Sequence, residues 1–348
     1  MYHSSFCQSR VESSRFLVRD AFLLLVMASA LLVYNPAAGR YPSWLLTERA
    51  ANVLEHSGWQ IQTEQTQSGK QITALARKAA AQGLDAFIVV GGDGSLNHAL
   101  AGLVGTHTAL GVLPAGTANV WAQELGLPGL SWTRLMALEE SARRIANARV
   151  WEADVGLCND RPFLLWAGIG LDAFIVHRIE PRTQLEKRFA VVQYAASAAL
   201  NASGWRGMQL RVRADGEIAN GHFLLAVVSN IHLYAGGYAE LSPDALLDDG
   251  TMDLWLFEGS SLEDIVQLVW ELWSGRHLHS DRVHRIPFRR AVLASNSPLY
   301  VQADGEPMQG NGQVHLEVRR RAVRVLVPED TPRPLFRNPP GVRLEGLQ

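Results

Sequence analysis

Cysteine is nearly absent from this 348-residue chain: only Cys7 and Cys158 occur. A disulfide framework and a cysteine zinc site are both excluded, and nothing points to an oxidising compartment. An excess of one charge is also missing, since 32 basic residues face 34 acidic ones for a net charge of −2. That balance excludes a strongly basic nucleic-acid binder and an acidic solvating tail. No apolar run is long enough to cross a bilayer. The longest, FLLLVMASALLVY at residues 22–34, has 13 residues, and a spanning helix needs roughly 20. Strong repeats, low-complexity tracts and a P-loop pattern are lacking as well. The eleven histidines show no metal-ligand spacing on any helix read from the pattern.

What is present is a globular composition, 47% hydrophobic and 19% charged, with room for two domains at ~150 residues each. Arg15 and Arg19 precede the 22–34 run in the manner of a signal segment. The stretch ALLVYNP, residues 30–36, reads instead as a buried first strand ending in a turn. Residues 1–26 are therefore read as an extension, with the folded chain beginning near Met27.

Up to about residue 147, strand and helix signals alternate. Helical spacing covers 43–57, 72–82, 96–103 and 117–125, and strand runs cover 59–63, 85–90 and 109–113. This order predicts a parallel sheet covered on both faces. Strand candidates then come in succession at 148–156, 162–167, 207–213, 221–229, 251–257, 290–296, 299–303 and 314–318. Helices are read near 169–178, 185–202 and 261–273. The expected second domain is a β-sandwich, followed by an irregular Pro-rich tail.

Two loops carry the strongest chemistry. FIVVGGDGSLNHAL, residues 87–100, ends a buried strand in glycines and starts a helix at once. Such a turn lets backbone N–H groups approach an anion, and phosphate is its natural ligand. It is not the dinucleotide fingerprint, because Asn97 stands where the third glycine would be. Asp93 in such a loop repels phosphate unless a cation or an amide network intervenes. LGVLPAGTANVWAQELGLP, residues 110–128, repeats the strand–loop–helix design with Gly116, Thr117 and Asn119. Two such loops at the carboxyl ends of parallel strands converge on one crevice.

Two further stretches are acidic. Asp244, Asp248, Asp249 and Asp253 cluster around Gly250, a composition that suits a hard cation or a solvated hairpin. Asp304 and Glu306 flank Gly305 after a strand, a carboxylate pair able to hold a cation or accept a hydroxyl proton, or a plain β-turn. Trp270 and Trp273 are read as core or domain packing. The basic run 282–290 is read as a solvated edge strand.

Taken in order, these residues resemble the bacterial diacylglycerol kinase-like lipid kinases, a family that includes sphingosine and ceramide kinase catalytic domains. The matching stretches are Asn35-Pro36-x-x-Gly39, Gly91-Gly92-Asp93-Gly94-Ser95-x-Asn97 and Leu113-Pro114-Ala115-Gly116-Thr117-Ala118-Asn119. They continue with Ala167-Gly168-Ile169-Gly170-x-Asp172-Ala173, Pro243-x-Ala245-x-x-Asp248-Asp249-Gly250 and Asp304-Gly305-Glu306. The resemblance implies an NAD-kinase-like nucleotide-binding α/β domain over 27–146, a β-sandwich-rich C-terminal domain over 147–330, and a tail over 331–348.

It also implies an ATP- and magnesium-dependent kinase that phosphorylates the hydroxyl of a lipid alcohol at a membrane surface. ATP would contact Asn35, Thr66, the loop Gly92, Asp93, Gly94, Ser95, Leu96, Asn97 and His98, and then Gly116 and Thr117. Magnesium would take the carboxylate of Asp249 and backbone oxygens of Leu246 and Thr251. Glu306 would accept the proton, with Asp304 and Asp93 beside it in the catalytic set. His98 stands where the family usually has a glutamate. The implied enzyme is cytoplasmic, peripheral to the inner face of the membrane, with no nucleic-acid partner, and a homodimer stays open. The alternatives are a soluble small-molecule kinase of NAD-kinase-like type and a catalytically weakened nucleotide-binding regulator.

Overall fold

The structure is a computed structural model and describes residues 27–36, 43–131, 134, 136–179 and 204–340. The N-terminal extension, the helix read at 185–202, Gly39 and the end of the tail lie outside the described residues.

Four strands form the parallel core of the first half: β1 (Ser29–Tyr34), β2 (Gln60–Gln65), β3 (Ala86–Gly91) and β4 (Ala109–Pro114), in the order β2-β1-β3-β4. Every residue of β3 and β4 is buried, as continuous apolar runs require of strands covered on both faces. Helices α1 (Ser43–His56), α2 (Gly69–Ala81), α3 (Asp93–Leu103), α4 (Val120–Glu124) and α5 (Ala137–Ala146) follow the strands; α2 packs on α3 and α1 on α5. Helix α5 has no counterpart in the sequence reading, although Leu138, Ala142, Ile145 and Ala146 recur at helical spacing and are buried.

The second half is strand-rich: β5 (Arg149–Cys158), β6 (Arg161–Phe163), β7 (Trp166–Gly170), α6 (Leu171–Ile179), β8 (Met208–Ala214), β9 (Glu217–Ser229) and the short hairpin β10 (Leu233–Tyr234) and β11 (Ala239–Glu240). Then come β12 (Met252–Glu258), α7 (Leu262–Ser274), β13 (Val283–Phe288), β14 (Arg290–Ala294), β15 (Leu299–Ala303), β16 (Glu306–Gly310) and β17 (Gln313–Val327). Two long strands hold it together. The first half of β9 pairs with β8, and its second half with β7 and β12. Strand β17 pairs with β14 and β5 and then reaches β4 in parallel, Val325 beside Leu110. A second core fills the sandwich, with Phe223, Leu254, Phe257, Phe288 and Val301 among its members.

The first core does not stop at residue 146. It takes in Val150, Ala153, Leu164, Ile231, Val323, Val325, Leu326 and Val327, because β5 and the end of β17 lie on the parallel sheet. The helix read from 169 starts at Leu171, since Trp166–Gly170 is a strand. Trp270 and Trp273 are not packing residues: they are 46% and 73% exposed, on the outer face of α7. Among the described residues, strand β13 pairs only with β12 and is an edge, as read.

Candidate active site

The residues singled out in the first half gather at the carboxyl ends of the four parallel strands. Asn35 follows β1, and buried Thr66 follows β2, its amide and hydroxyl both donating to Tyr34 O at 2.7 and 3.2 Å. The glycine loops follow β3 and β4. They touch backbone to backbone: a Cβ on Gly116 would lie 2.6 Å from Gly92 Cα and 2.7 Å from Asn119 Oδ1. Asn119 closes its own loop, accepting from Gly116 N at 2.9 Å and donating to Gly116 O at 3.0 Å, with its backbone at φ 54°.

Asp93 opens α3, yet its carboxylate does not point along that helix. It accepts from Val120 N at 2.9 Å and Trp121 N at 3.1 Å, so it caps α4, whose own preceding residue supplies no side-chain cap. This is the amide network that lets an acid sit in the loop. Burial pushes the Asp93 carboxyl above the usual carboxylate range, against the pull of those amides. The partial positive start of α3 remains as an anion cradle. Ser95 and Leu96 N–H groups turn back to Gly92 O.

Asp304 and Glu306 come to this cradle from the other half of the chain. Asp304 (φ 47°) and Gly305 (φ 81°) form a two-residue hairpin turn between β15 and β16, the left-handed pair that Asp-Gly favours. Asp304 is buried and fully engaged. One carboxylate oxygen accepts from Asn97 Nδ2 at 2.7 Å and Leu164 N at 2.9 Å, and the other from Leu165 N and Trp166 N at 3.0 Å each. Burial raises its pKa to about 6 despite these donors. Asn97 is thus turned toward Asp304 and Pro162 O, joining α3 to the turn. Glu306 is half-buried, and its Oε1 lies 3.7 Å from where a Cβ on Gly94 would stand. A carboxylate faces the start of a phosphate-type helix across a glycine.

A second, half-buried acid braces the turn. Asp172 accepts from Gln302 Nε2 at 2.9 Å, Tyr234 OH at 3.1 Å and Ala173 N at 2.6 Å. Gln302 Oε1 in turn accepts from Gly305 N at 2.8 Å. Gly168 leaves room for Asp172, whose Oδ2 would be 1.8 Å from a Cβ there. Burial lifts the Asp172 pKa to about 6. Its motif was visible in the sequence, but the link through Gln302 was not, because nothing in an alternating strand marks one glutamine.

The His98 ring occupies the space that a Cβ on Gly69 would need. Burial lowers its pKa, with Glu306 pulling it up and Arg161 pushing it down. Thr117 is exposed at the second loop. The acidic cluster at 244–253 is dispersed. Asp248 takes the amides of Arg337 and Asn338, Asp253 and Asp244 take Arg285, and Asp249 takes Thr251 N and Oγ1 at 2.9 Å each. Asp248 and Asp249 lie close enough to help raise the pKa of buried Asp154. Among the described residues, no three His, Cys, Asp or Glu side chains are gathered to hold a metal. Burial pushes the Cys158 thiol up to about 12, which leaves it inert.

The comparisons with known proteins agree with this layout. The diacylglycerol kinase catalytic domain family matches residues 29–158, and the YegS C-terminal NAD kinase beta sandwich-like domain matches residues 167–327. A diacylglycerol kinase of Bacillus subtilis is 25% identical over 80% of this chain and 90% of its own. The protein named "Probable lipid kinase YegS-like" of Chromohalobacter salexigens is 31% identical over 79% and 86%. The crystal structure of a diacylglycerol kinase from Bacillus anthracis superposes with a TM-score of 0.66 at 18% identity, covering 88% of this chain and 99% of that one. With paired glycine loops, a clamped Asp-Gly-Glu turn and both halves matched in order, the chain belongs to the diacylglycerol kinase-like lipid kinase family.

Proposed function

We propose that the chain transfers the γ-phosphate of ATP to the hydroxyl of a lipid alcohol, with Glu306 as the proton acceptor. The observation that carries this reading is the Glu306 carboxylate facing Gly94 at the start of α3. The glycine turn Gly92–Gly94 at the start of α3 suits the phosphates, and Asn35, Thr66, Gly116 and Thr117 edge the same crevice for the rest of the nucleotide. Phosphoryl transfer needs positioning and charge neutralisation more than covalent help from the protein. The lipid oxygen bonds to the γ-phosphorus as the bridge to the β-phosphate breaks. Its proton passes to Glu306, and ADP leaves.

Asp304 does not touch the reacting atoms. With four donors on its two oxygens it is a positioning residue. Asp93 holds α4. Magnesium supplies charge neutralisation at the phosphates. A separate structural ion would draw on the Asp249 carboxylate and the carbonyls of Leu246 and Thr251, all hard oxygens. His98 brings no carboxylate to that task; its ring packs against Gly69. On this reading the enzyme meets its lipid peripherally, from the cytoplasmic side. No helix among the described residues is long and apolar enough to cross a membrane.

The test is γ-labelled ATP with a membrane-lipid extract and magnesium. Wild type moves label into the organic phase, and Glu306→Gln lowers that rate by roughly 10²–10⁴-fold, the usual size of a general-base effect, with ATP binding retained. No organic-phase label from a protein that binds ATP would overturn the reading and favour a soluble acceptor or a silent regulator.

A further inference from the structure

The short helix α4 sends its last two side chains to the β10–β11 hairpin. Buried Glu124 accepts from Leu233 N at 2.6 Å, at the foot of the hairpin. Gln123, which is exposed, reaches the tip. Its Nε2 donates to Ala118 O at 2.7 Å and to Gly236 O at 3.2 Å. A side-chain amide nitrogen has two hydrogens, and here each goes to a different half of the chain. Ala118 stands between Thr117 and Asn119 in the second glycine loop, and Gly236 is in the hairpin turn.

The turn is shaped around that amide. Ala235, Gly236 and Gly237 have φ of 52°, 75° and 90°, three left-handed residues in succession. Residues other than glycine rarely adopt this conformation, so Ala235 holds it against strain. At Gly237 a Cβ would lie 2.2 Å from Gln123 Oε1 and 2.8 Å from its Cδ and Nε2. The end of Gln123 is thus seated against the Gly237 backbone, and a side chain there would displace it. Solvation of a glutamine at a helix end asks for neither the close fit nor the two directed bonds.

We propose that Gln123 is a positioning residue, which latches the tip of the β10–β11 hairpin to the second glycine loop and so aligns the Glu306 turn with the γ-phosphate. This rests on the lipid-kinase reading. From the hairpin the path to the turn is short. Strand β10 carries Tyr234, whose OH donates to Asp172; Asp172 accepts from Gln302, and Gln302 accepts from Gly305 N, next to Glu306. On the other side, Thr117 directly precedes the Ala118 carbonyl that Gln123 holds. One amide therefore ties the loop proposed for the nucleotide to the turn proposed for the proton acceptor. Glu124 fixes the foot of the hairpin through a buried carboxylate, whereas Gln123 fixes its tip from the surface. Substitution at Gln123 thus removes the latch without opening the core.

The experiment compares two variants of the full chain with wild type. Gln123→Met keeps the length and bulk of the side chain but removes both donors. Gln123→Glu keeps its shape and sets a carboxylate against two carbonyl oxygens. Both should lower kcat for label transfer from ATP to a membrane-lipid extract about tenfold, as a small misalignment of reacting atoms does. The KM for ATP should change less than about threefold, and the melting temperature should stay within about 3 °C of wild type. Amide hydrogen exchange over residues 233–241 should be about tenfold faster in Gln123→Met, as expected when two hydrogen bonds are lost, with the parallel strands unchanged. A wild-type kcat in Gln123→Met, beside an active wild type, overturns the proposal. So does a kcat loss that comes with a lower melting temperature and faster exchange throughout, which would make Gln123 a packing residue. If wild type phosphorylates no lipid, the activity reading fails and exchange in the hairpin decides the latch: faster exchange in Gln123→Met keeps it, and unchanged exchange removes it.

Discussion

At the scale of single residues, the site is built from atoms that leave no spare room. Gly116 and Gly92 approach so closely that one added methyl would meet backbone at 2.6 Å. Backbone cannot rotate aside as a long side chain can, so Gly116→Ala forces the loops apart. The expected cost is about 1–3 kcal/mol, as for other overpacked contacts, with the KM for ATP raised at least tenfold. Urea unfolding and steady-state kinetics check both. Buried acids give a second residue-scale prediction. Asp172 has its pKa raised to about 6 in the fold, above the ordinary 3.8. The folded chain therefore holds this proton more tightly than the unfolded chain. Its contribution to stability is fully present below pH 4 and is lost as pH rises to about 6, a change on the order of 3 kcal/mol. Asp172→Asn loses an acceptor for Tyr234 or Gln302 at every pH, so its level is lower. Its decline between pH 4.5 and 7 should nevertheless be smaller than that of wild type by about 2 kcal/mol, the part of that change that falls in this window. Equal declines in the two proteins would remove burial as the cause.

At the scale of elements, one helix is held by a residue from another. Helix α4 is only five residues long and follows Asn119, which spends its side chain on Gly116. Its first amides are received by Asp93, from the neighbouring loop. The glycine motif and the second loop are thus one unit, tied by a carboxylate as well as by touching backbones. Asp93→Ala should cost about 1–2 kcal/mol, the upper part of the range for a lost cap. It should also weaken ATP binding, because α4 and its loop lose their anchor; calorimetry with an ATP analogue measures this. Retained stability and affinity in Asp93→Ala would mean that α4 stands without it. The Asp93 carboxylate is easy to assign to chemistry from the motif alone. Its capping role depends on a helix 27 residues further on, which no local pattern reveals.

At the scale of the whole molecule, a line of buried polar contacts joins the two halves. From α4, Glu124 accepts from Leu233 N at 2.6 Å and pairs with His232 Nδ1 at 3.0 Å. Next in the chain, Tyr234 bonds Asp172, which leads through Gln302 to the amide of Gly305. The glycine loops and the Glu306 turn are thereby positioned against each other by side chains rather than by chain connectivity. Removing one partner of a buried pair leaves the other uncompensated. Glu124→Ala removes the acceptor of both Leu233 N and His232 Nδ1, and should therefore cost about 1–3 kcal/mol and lower kcat more than it raises the KM for ATP. A variant that keeps both its unfolding midpoint and its kcat would show that the halves are held by packing and β17 alone.

Alone, the sequence determined the alternation of strands and helices in the first half, the strand-rich second half, and both glycine loops. Those features are local: apolar periodicity, glycine and the Asp-Gly turn act within a few residues. The edge strand at 283–288 and the irregular stretch at 331–340 were legible for the same reason. Tertiary structure alone decided that β17 runs from the sandwich to the parallel sheet, and that Asn97 meets Asp304, 207 residues away. It also decided that Trp270 and Trp273 face outward. On a helix with two apolar faces, periodicity says which residues share a face but not which face meets the core. That choice depends on what the rest of the chain packs against it.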